Sequence, residues 1–309
     1  STAGQFQFPR GIAVADDGTI YVADTGNHRV QVFDQSLNWT GQLGLTGVQG
    51  TGDDRFNEPF DVEVDGTGNI LVADHSNHRV QIFDQQLNFL HRIGETGVAG
   101  QDFAHLDDPT AVVVDPSGRI YVADNWGGRI QVFDQNGAYL TTLGNSWGNL
   151  SGDLRQVQGL ALDGEGRLYI AESLNHRMQV FVPGVDGWQQ SNLNGFGDPN
   201  NVWAASLVTF QGELYAGVYS LSGMGAQLWQ RSSAGDWQQL IGDGFGDPAN
   251  SGISSLTVFK DWLYAGSENP NGAQIWRSAD GTSWTPVVDD GFGSLAGAPR
   301  ITAMGVFDG

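Results

Sequence analysis

The chain has 309 residues, no cysteine, and 35 Asp and Glu against 14 Lys and Arg, for a formal net charge of −21. That excludes disulfides, thiolate metal sites and cysteine nucleophiles, and it disfavours nucleic acid or an anionic membrane surface as a partner. With 45 Gly, 10 Pro and 11% aromatics, the composition suits many short strands joined by tight turns rather than a disordered chain.

The N-terminal "STAGQFQFPR" has no charged region leading into an apolar one, so a signal peptide is expected to be removed or absent. No run of about 18 apolar residues that could span a bilayer occurs. Cys-free, acidic and Gly-rich, the sequence reads as a bacterial secreted or cell-surface protein, with a cytoplasmic location as the alternative.

Internal repetition starts at once. "NHRVQVFD" at 27–34 returns as "NHRVQIFD" at 77–84 and as "NHRMQVF" at 175–181. Aligned on Val22–Asp24, Val72–Asp74, Val122–Asp124 and Ile170–Glu172, each copy gives a Pro-led segment, "GIAVADDG", "TIYVAD", a polar loop, "RVQVFD" and a last short strand. These segments are short, β-branched and alternating, and Gly, Asp or Asn bounds each of them. Four short antiparallel strands in 40–50 residues describe a propeller blade, which must stack on others to bury its faces.

The stretch "FPRGIAVADDGTIYVADTGNHRVQVFD" resembles the NHL repeat, and the resemblance runs through four copies over residues ~4–182. It implies a β-propeller, commonly of six blades, and no single function. Beyond Val182 a second pattern takes over. "GFGDP…LYAG…GAQ[LI]W" begins at Gly195 and again at Gly244, and "SADGTSW" at 278–284 resembles a shortened Asp box. The fourth copy opens like the first three, yet its last strand, "GWQQSNLNGFGDP", matches "DWQQLIGDGFGDP" of the later type. The expectation is one all-β domain over 1–309, a hybrid propeller of six four-stranded blades with a seam inside the fourth blade near Pro183. The final "RITAMGVFDG" reads as the first strand of a partial seventh copy.

Three sets of residues are candidates for function. His28, His78 and His176 recur, but Gly128 stands in the third copy, so they read as scaffolding rather than a metal-binding ring. Asp24, Asp74, Asp124 and Glu172 close the second strands and are expected to set turns by bonding the backbone two residues on. Arg29, Arg79, Arg129 and Arg177 are expected to bond these acids, or nearby carbonyls, as a repeated bidentate pair. Residues that break the repeat are the binding candidates, because loops on a rigid scaffold carry function. They are His75, His105, Asn125, Trp126, Trp147 and Tyr219, expected on one loop-rich face with the long links 44–59, 94–109 and 144–156.

Asp53, Asp54, Asp107 and Asp108, with Asp102, offer oxygens to Ca²⁺, although no spaced loop signature is present. Glu63 stands out on a first strand where Ala15 or Val114-like residues are expected elsewhere. The favoured reading is a monomeric, non-enzymatic scaffold for a protein or glycan on the loop-rich face, or a chimeric propeller without a specialised ligand. A Ca²⁺- or Zn²⁺-dependent hydrolase or lyase with a central-channel site is the alternative, as six-bladed relatives suggest.

Overall fold

The computed structural model describes residues 3–144, 147–150, 152–182, 188–190, 201–220, 225–232, 236–259 and 261–288. The described residues form strands and short turns, and none of their helices is long and apolar enough to cross a membrane. The architecture is all-β and propeller-like.

Four copies give four separate four-stranded antiparallel sheets, each ordered as in the sequence. The first sheet comprises β1 (Pro9–Val14), β2 (Ile20–Asp24), β3 (Arg29–Phe33) and β4 (Trp39–Leu43). The second comprises β5 (Pro59–Val64), β6 (Ile70–Asp74), β7 (Arg79–Phe83) and β8 (Phe89–Ile93). In the third lie β9 (Pro109–Val114), β10 (Ile120–Asp124), β11 (Arg129–Phe133) and β12 (Tyr139–Leu143). The fourth holds β13 (Val157–Leu162), β14 (Leu168–Glu172), β15 (Arg177–Phe181) and β16 (Trp188–Gln190). The pairing of Phe181 with Trp188 and of Gln179 with Gln190 makes the strand beyond Pro183 the outer strand of that sheet.

The last two copies depart from the expected separate blades. β17 (Asn201–Phe210), β18 (Glu213–Ser220), β19 (Gln227–Arg231) and β20 (Trp237–Ile241) share one eight-stranded sheet with β21 (Gly252–Phe259), β22 (Trp262–Glu268), β23 (Ile275–Ser278) and β24 (Thr285–Val288). The junction is a single pair, Tyr219 with Gly252, between β18 and β21. Gly252 is required there, since a β-carbon would lie 2.4–2.5 Å from the Tyr219 ring. The partial seventh copy expected at 300–309 lies outside the described residues. By compactness the chain divides into two units, one up to Val157 and one from Gln158.

Sequence explains the burial pattern. β2, β3, β6, β7 and β10 are buried along their whole length, because neighbouring sheets cover both faces and no polar-out alternation is needed. Their apolar side chains form one core between the first and second sheets (Ala23, Val30, Phe56, Val62, Val72) and another between the second and third (Ala73, Val80, Leu106, Val112, Val122). The second unit has its own cores around Tyr169, Met178 and Leu214, and around Tyr215, Leu228 and Leu263.

The "GAQ[LI]W" motif has a local cause. The side-chain oxygen of Gln227 accepts from Asn201 at 2.7 Å and from the Trp229 indole at 2.8 Å. Gln274 repeats this with Asn250 at 2.7 Å and Trp276 at 3.1 Å. In the Asp-box-like turn, Asp280 accepts the amides of Thr282 and Ser283 at 2.8 and 2.7 Å, which hold its carboxyl well below the usual range.

First strands of consecutive sheets approach each other closely. A β-carbon on Gly11 of β1 would lie 2.5 Å from the Asp61 Cα and 2.8 Å from the Val62 amide of β5. Gly11→Ala is therefore expected to lose roughly 1–3 kcal/mol by overpacking against backbone that cannot yield. Chemical denaturation of the variant, with Gly66→Ala in open space as control, measures this.

Candidate ligand-binding face

Buried acids at the ends of the second strands organise the loops of each repeat. Asp24, Asp74, Asp124 and Glu172 are sealed from solvent. They accept the Nε–H of Arg29, Arg79, Arg129 and Arg177 at 2.8, 2.8, 2.7 and 2.7 Å. They also accept the side-chain amides of Gln31, Gln81, Gln131 and Gln179 at 3.0, 3.3, 3.0 and 2.8 Å. The contact runs through Nε, so the bidentate pair expected from the sequence is replaced by a clamp. Arg79 sends its terminal nitrogens to Thr51, Gly52 and Arg55 carbonyls at 3.1, 2.8 and 2.9 Å, pinning the preceding link. Burial pushes the Asp74 and Asp124 carboxyls up, and the paired arginines oppose that.

The turn-setting role expected for these acids belongs to other aspartates. Asp65, Asp115 and Asp163 accept the amides of Thr67, Ser117 and Glu165 two residues on, as Asp34, Asp84 and Asp134 do for Ser36, Gln86 and Asn136. Asp24, Asp74 and Asp124 instead take amides of the incoming link, from Gln7, Asn57 and Asp107, at 2.7, 2.7 and 2.6 Å. Links and loops therefore share one face in the first unit. The same follows from Ser76 N–H donating to Asn57 and Trp126 N–H to Asp107.

His28, His78 and His176 have left-handed backbones, with φ of 54°, 56° and 50°. Gly128 holds the same place at φ 61°, and glycine adopts that conformation without strain. His28 Nδ1 accepts the Glu58 amide at 3.1 Å and His78 Nδ1 the Asp108 amide at 3.3 Å, so each imidazole ties its loop to the next copy. Where the third copy lacks a histidine, the Asn125 side-chain oxygen accepts the Val157 amide at 3.1 Å. Asn125 is buried and serves as a tie rather than as an open binding residue.

Other sequence candidates scatter. Tyr219 lies in the second unit, 5% exposed, and donates its hydroxyl to Glu268 at 2.8 Å. His105 is fastened to Asp102 at 2.7 Å and to Glu95 at 3.3 Å, contacts that raise its pKa. Asp53 pairs with Arg92 at 2.8 Å and Asp54 with Arg55, so neither joins a cluster of oxygens. Both border an open cleft of about 370 Å³ whose floor includes Leu43, Phe83 and Phe89.

Three features do come together on the loop face. Trp126 stacks on Trp147, with ring centroids 5.2 Å apart and planes 11° from parallel, and the Arg155 guanidinium sits 5.8 Å from the Trp147 centroid. Trp126 is 55% exposed, so an aromatic surface faces solvent. Next to it, His78, Asp107 and Asp108 bring one nitrogen and two carboxylate oxygens within 4.8 Å of one another. Asp107 is raised by burial and by Asp108. In the second copy His75 stacks on Phe60 at 3.8 Å, and the Arg10 guanidinium lies 4.0 Å from the same ring. Burial lowers the His75 pKa.

Arg10, Phe60 and Arg155 were not legible as candidates. A signal existed, since Arg10, Phe60 and Thr110 fill one position of the repeat with three unlike residues.

Glu63 and its neighbour Asp61 sit on β5, between β1 and β9. Strand register pairs Glu63 with Leu71, Ala13 with Tyr21 and Val113 with Tyr121, so its counterparts are Ala13 and Val113 rather than Ala15 and Val114. Asp61 accepts the Val112 amide at 2.9 Å and its own neighbour Val62 at 3.0 Å. Burial pushes Asp61 up to about 6, and burial with the Asp61 charge pushes Glu63 up to about 8.

The NHL repeat model matches residues 6–33, 56–83, 106–133 and 154–181. The chain thus carries four NHL repeats in a β-propeller fold. No curated protein gives a significant sequence match. Among solved structures, a streptogramin B lyase is 14% identical, with 90% of this chain and 82% of that one covered and a TM-score of 0.66. A catalytically inactive histidine-to-alanine variant of virginiamycin B lyase from Staphylococcus aureus, with quinupristin, is 13% identical over 92% and 85% of the chains, TM-score 0.68. A putative 6-phosphogluconolactonase from Bacteroides uniformis is 15% identical over 94% and 88%, TM-score 0.64. At such identities the likeness is one of fold.

Proposed function

We propose that the protein is a non-enzymatic binding scaffold that holds a carbohydrate on the loop face of its NHL repeats. The observation that carries this is the solvent-facing Trp126–Trp147 stack, built from two residues that no other copy repeats. A flat indole pair accepts the apolar face of a sugar ring, while neighbouring carboxylates and Arg155 can orient its hydroxyls. Regular ties from His28, His78 and Asn125 keep the loops rigid enough to present it. A protein segment is the other class of ligand such a face takes.

On this reading the two halves of the eight-stranded sheet are blades of a second repeat type, which makes six copies in a hybrid chain. An acidic, cysteine-free chain of this kind suits a secreted or cell-surface monomer with no nucleic-acid partner.

A glycan array followed by calorimetry tests the proposal. Trp126→Ala is expected to weaken carbohydrate binding at least about tenfold, the order of one lost stacking contact of 1–3 kcal/mol, with an unchanged melting temperature. Binding that ignores Trp126→Ala would move the ligand elsewhere.

The second reading, a metal-dependent hydrolase or lyase, is favoured by Asp61 and Glu63, whose raised carboxyls suit general acid–base work at neutral pH. Turnover of a lactone or of quinupristin that Glu63→Gln abolishes would establish it.

A further inference from the structure

We propose that His78, Asp107 and Asp108 form a divalent transition-metal site, of the kind Zn²⁺ occupies, on the loop face between the second and third repeats. The ligand atoms lie within 4.8 Å of one another, with His78 Nδ1 3.2 Å from an Asp108 oxygen and 3.9 Å from an Asp107 oxygen. Ligands of a tetrahedral ion about 2 Å from its centre lie roughly 3.3 Å apart, so side-chain rotations close this set around an ion, which would take the Nδ1 lone pair that accepts the Asp108 amide in its absence. One imidazole and two carboxylates, with coordination positions left over, fit a zinc-like ion better than Ca²⁺, which takes six to eight oxygens.

The scaffold does not account for the two acids. At the preceding junction His28 makes the same tie to a backbone amide, but the residues facing it are Asn57 and Glu58. Glu58 there accepts the Ser76 hydroxyl at 2.9 Å. At the His78 junction both residues are aspartates, their side chains only 20–23% exposed. Among the described residues neither carboxylate accepts a hydrogen bond. The His78 imidazole is the near partner of both carboxylates, and a divalent ion bound among all three would remove the repulsion between the two acids. Asp107 also anchors Trp126 through its carbonyl, which puts the ion beside the aromatic platform.

The test needs the whole protein and the metal alone. After EDTA treatment, Zn²⁺ and Ca²⁺ are titrated separately by calorimetry, and Co²⁺ is added as a visible-spectrum probe of nitrogen ligation. Expected is one Zn²⁺ per chain, a raised melting temperature on binding, and Co²⁺ bands that His78→Asn removes. Asp107→Asn, which leaves the His78 tie in place, is expected to weaken Zn²⁺ at least about tenfold. Equal Zn²⁺ uptake by wild type, Asp107→Asn and His78→Asn would overturn the site. Tighter Ca²⁺ than Zn²⁺ binding would overturn the metal class. Carbohydrate binding is not needed for either outcome.

Discussion

Arg79→Met should lower the stability of the first unit by about 3–5 kcal/mol, the cost of leaving one partner of a buried ion pair behind. Arg79 is fully buried and answers five acceptors: Asp74, Thr96 and the carbonyls of Thr51, Gly52 and Arg55. Methionine fills much of the volume but donates nothing, so Asp74 keeps a buried charge and the link 44–58 loses its anchor. At about 2 cal/mol/K per residue over a unit of this size, the melting temperature should fall by roughly 9–15 °C. Lysine should not restore it, because a single ammonium cannot span a carboxylate and three carbonyls at once. Arg92→Met is the control. Its partner Asp53 is 50% exposed, and an exposed pair contributes about 1 kcal/mol or less. Equal melting shifts for the two variants would show that the Arg79 clamp is not a stabilising element.

Repetition made the scaffold legible in the sequence. A residue needed once per copy shows itself by its spacing, so the strands of the first four sheets and the partnership of the acids with the arginines could be read before any coordinates. What the spacing does not carry is geometry. Asp24 and Asp34 both precede short turns, and nothing local tells which of them bonds the backbone ahead and which receives the link behind. The eight-stranded sheet was hidden for a similar reason, since the single pair between Tyr219 and Gly252 joins residues that each look like ordinary strand ends.

The candidate site was half legible. Trp126 and Trp147 stand out because they break the pattern, and Asp107 and Asp108 as oxygens offered to Ca²⁺ in a link; the structure brings them together with His78, which follows the pattern. A residue with a repeated structural task can acquire a second one when its neighbours change, and spacing alone cannot show that. Tyr219 and Asn125 fail in the opposite sense. Each looked unrepeated and therefore free, yet Asn125 replaces a missing histidine tie and Tyr219 is packed over Gly252.

Glu63 gives the strongest pH dependence expected of this fold. Its folded-state carboxyl is pushed up to about 8 and that of Asp61 to about 6, both above the values of an unfolded chain. The folded protein therefore holds protons that the unfolded chain has released. Stability from these two groups is fully present below about pH 4 and is lost as pH rises, first through Asp61 near 6 and then through Glu63 near 8. Glu63→Gln keeps a neutral hydrogen-bonding side chain at every pH, so the variant should gain over wild type as pH rises. The full shift at about 1.4 kcal/mol per unit sets the upper limit. Glu63 keeps some open surface, so the expected gain at pH 8.5 is roughly 1–3 kcal/mol, vanishing near pH 4. Denaturant midpoints of both proteins across pH 4–9 measure it. A constant difference would mean that Glu63 titrates normally, and the case for acid–base chemistry on β5 would go with it.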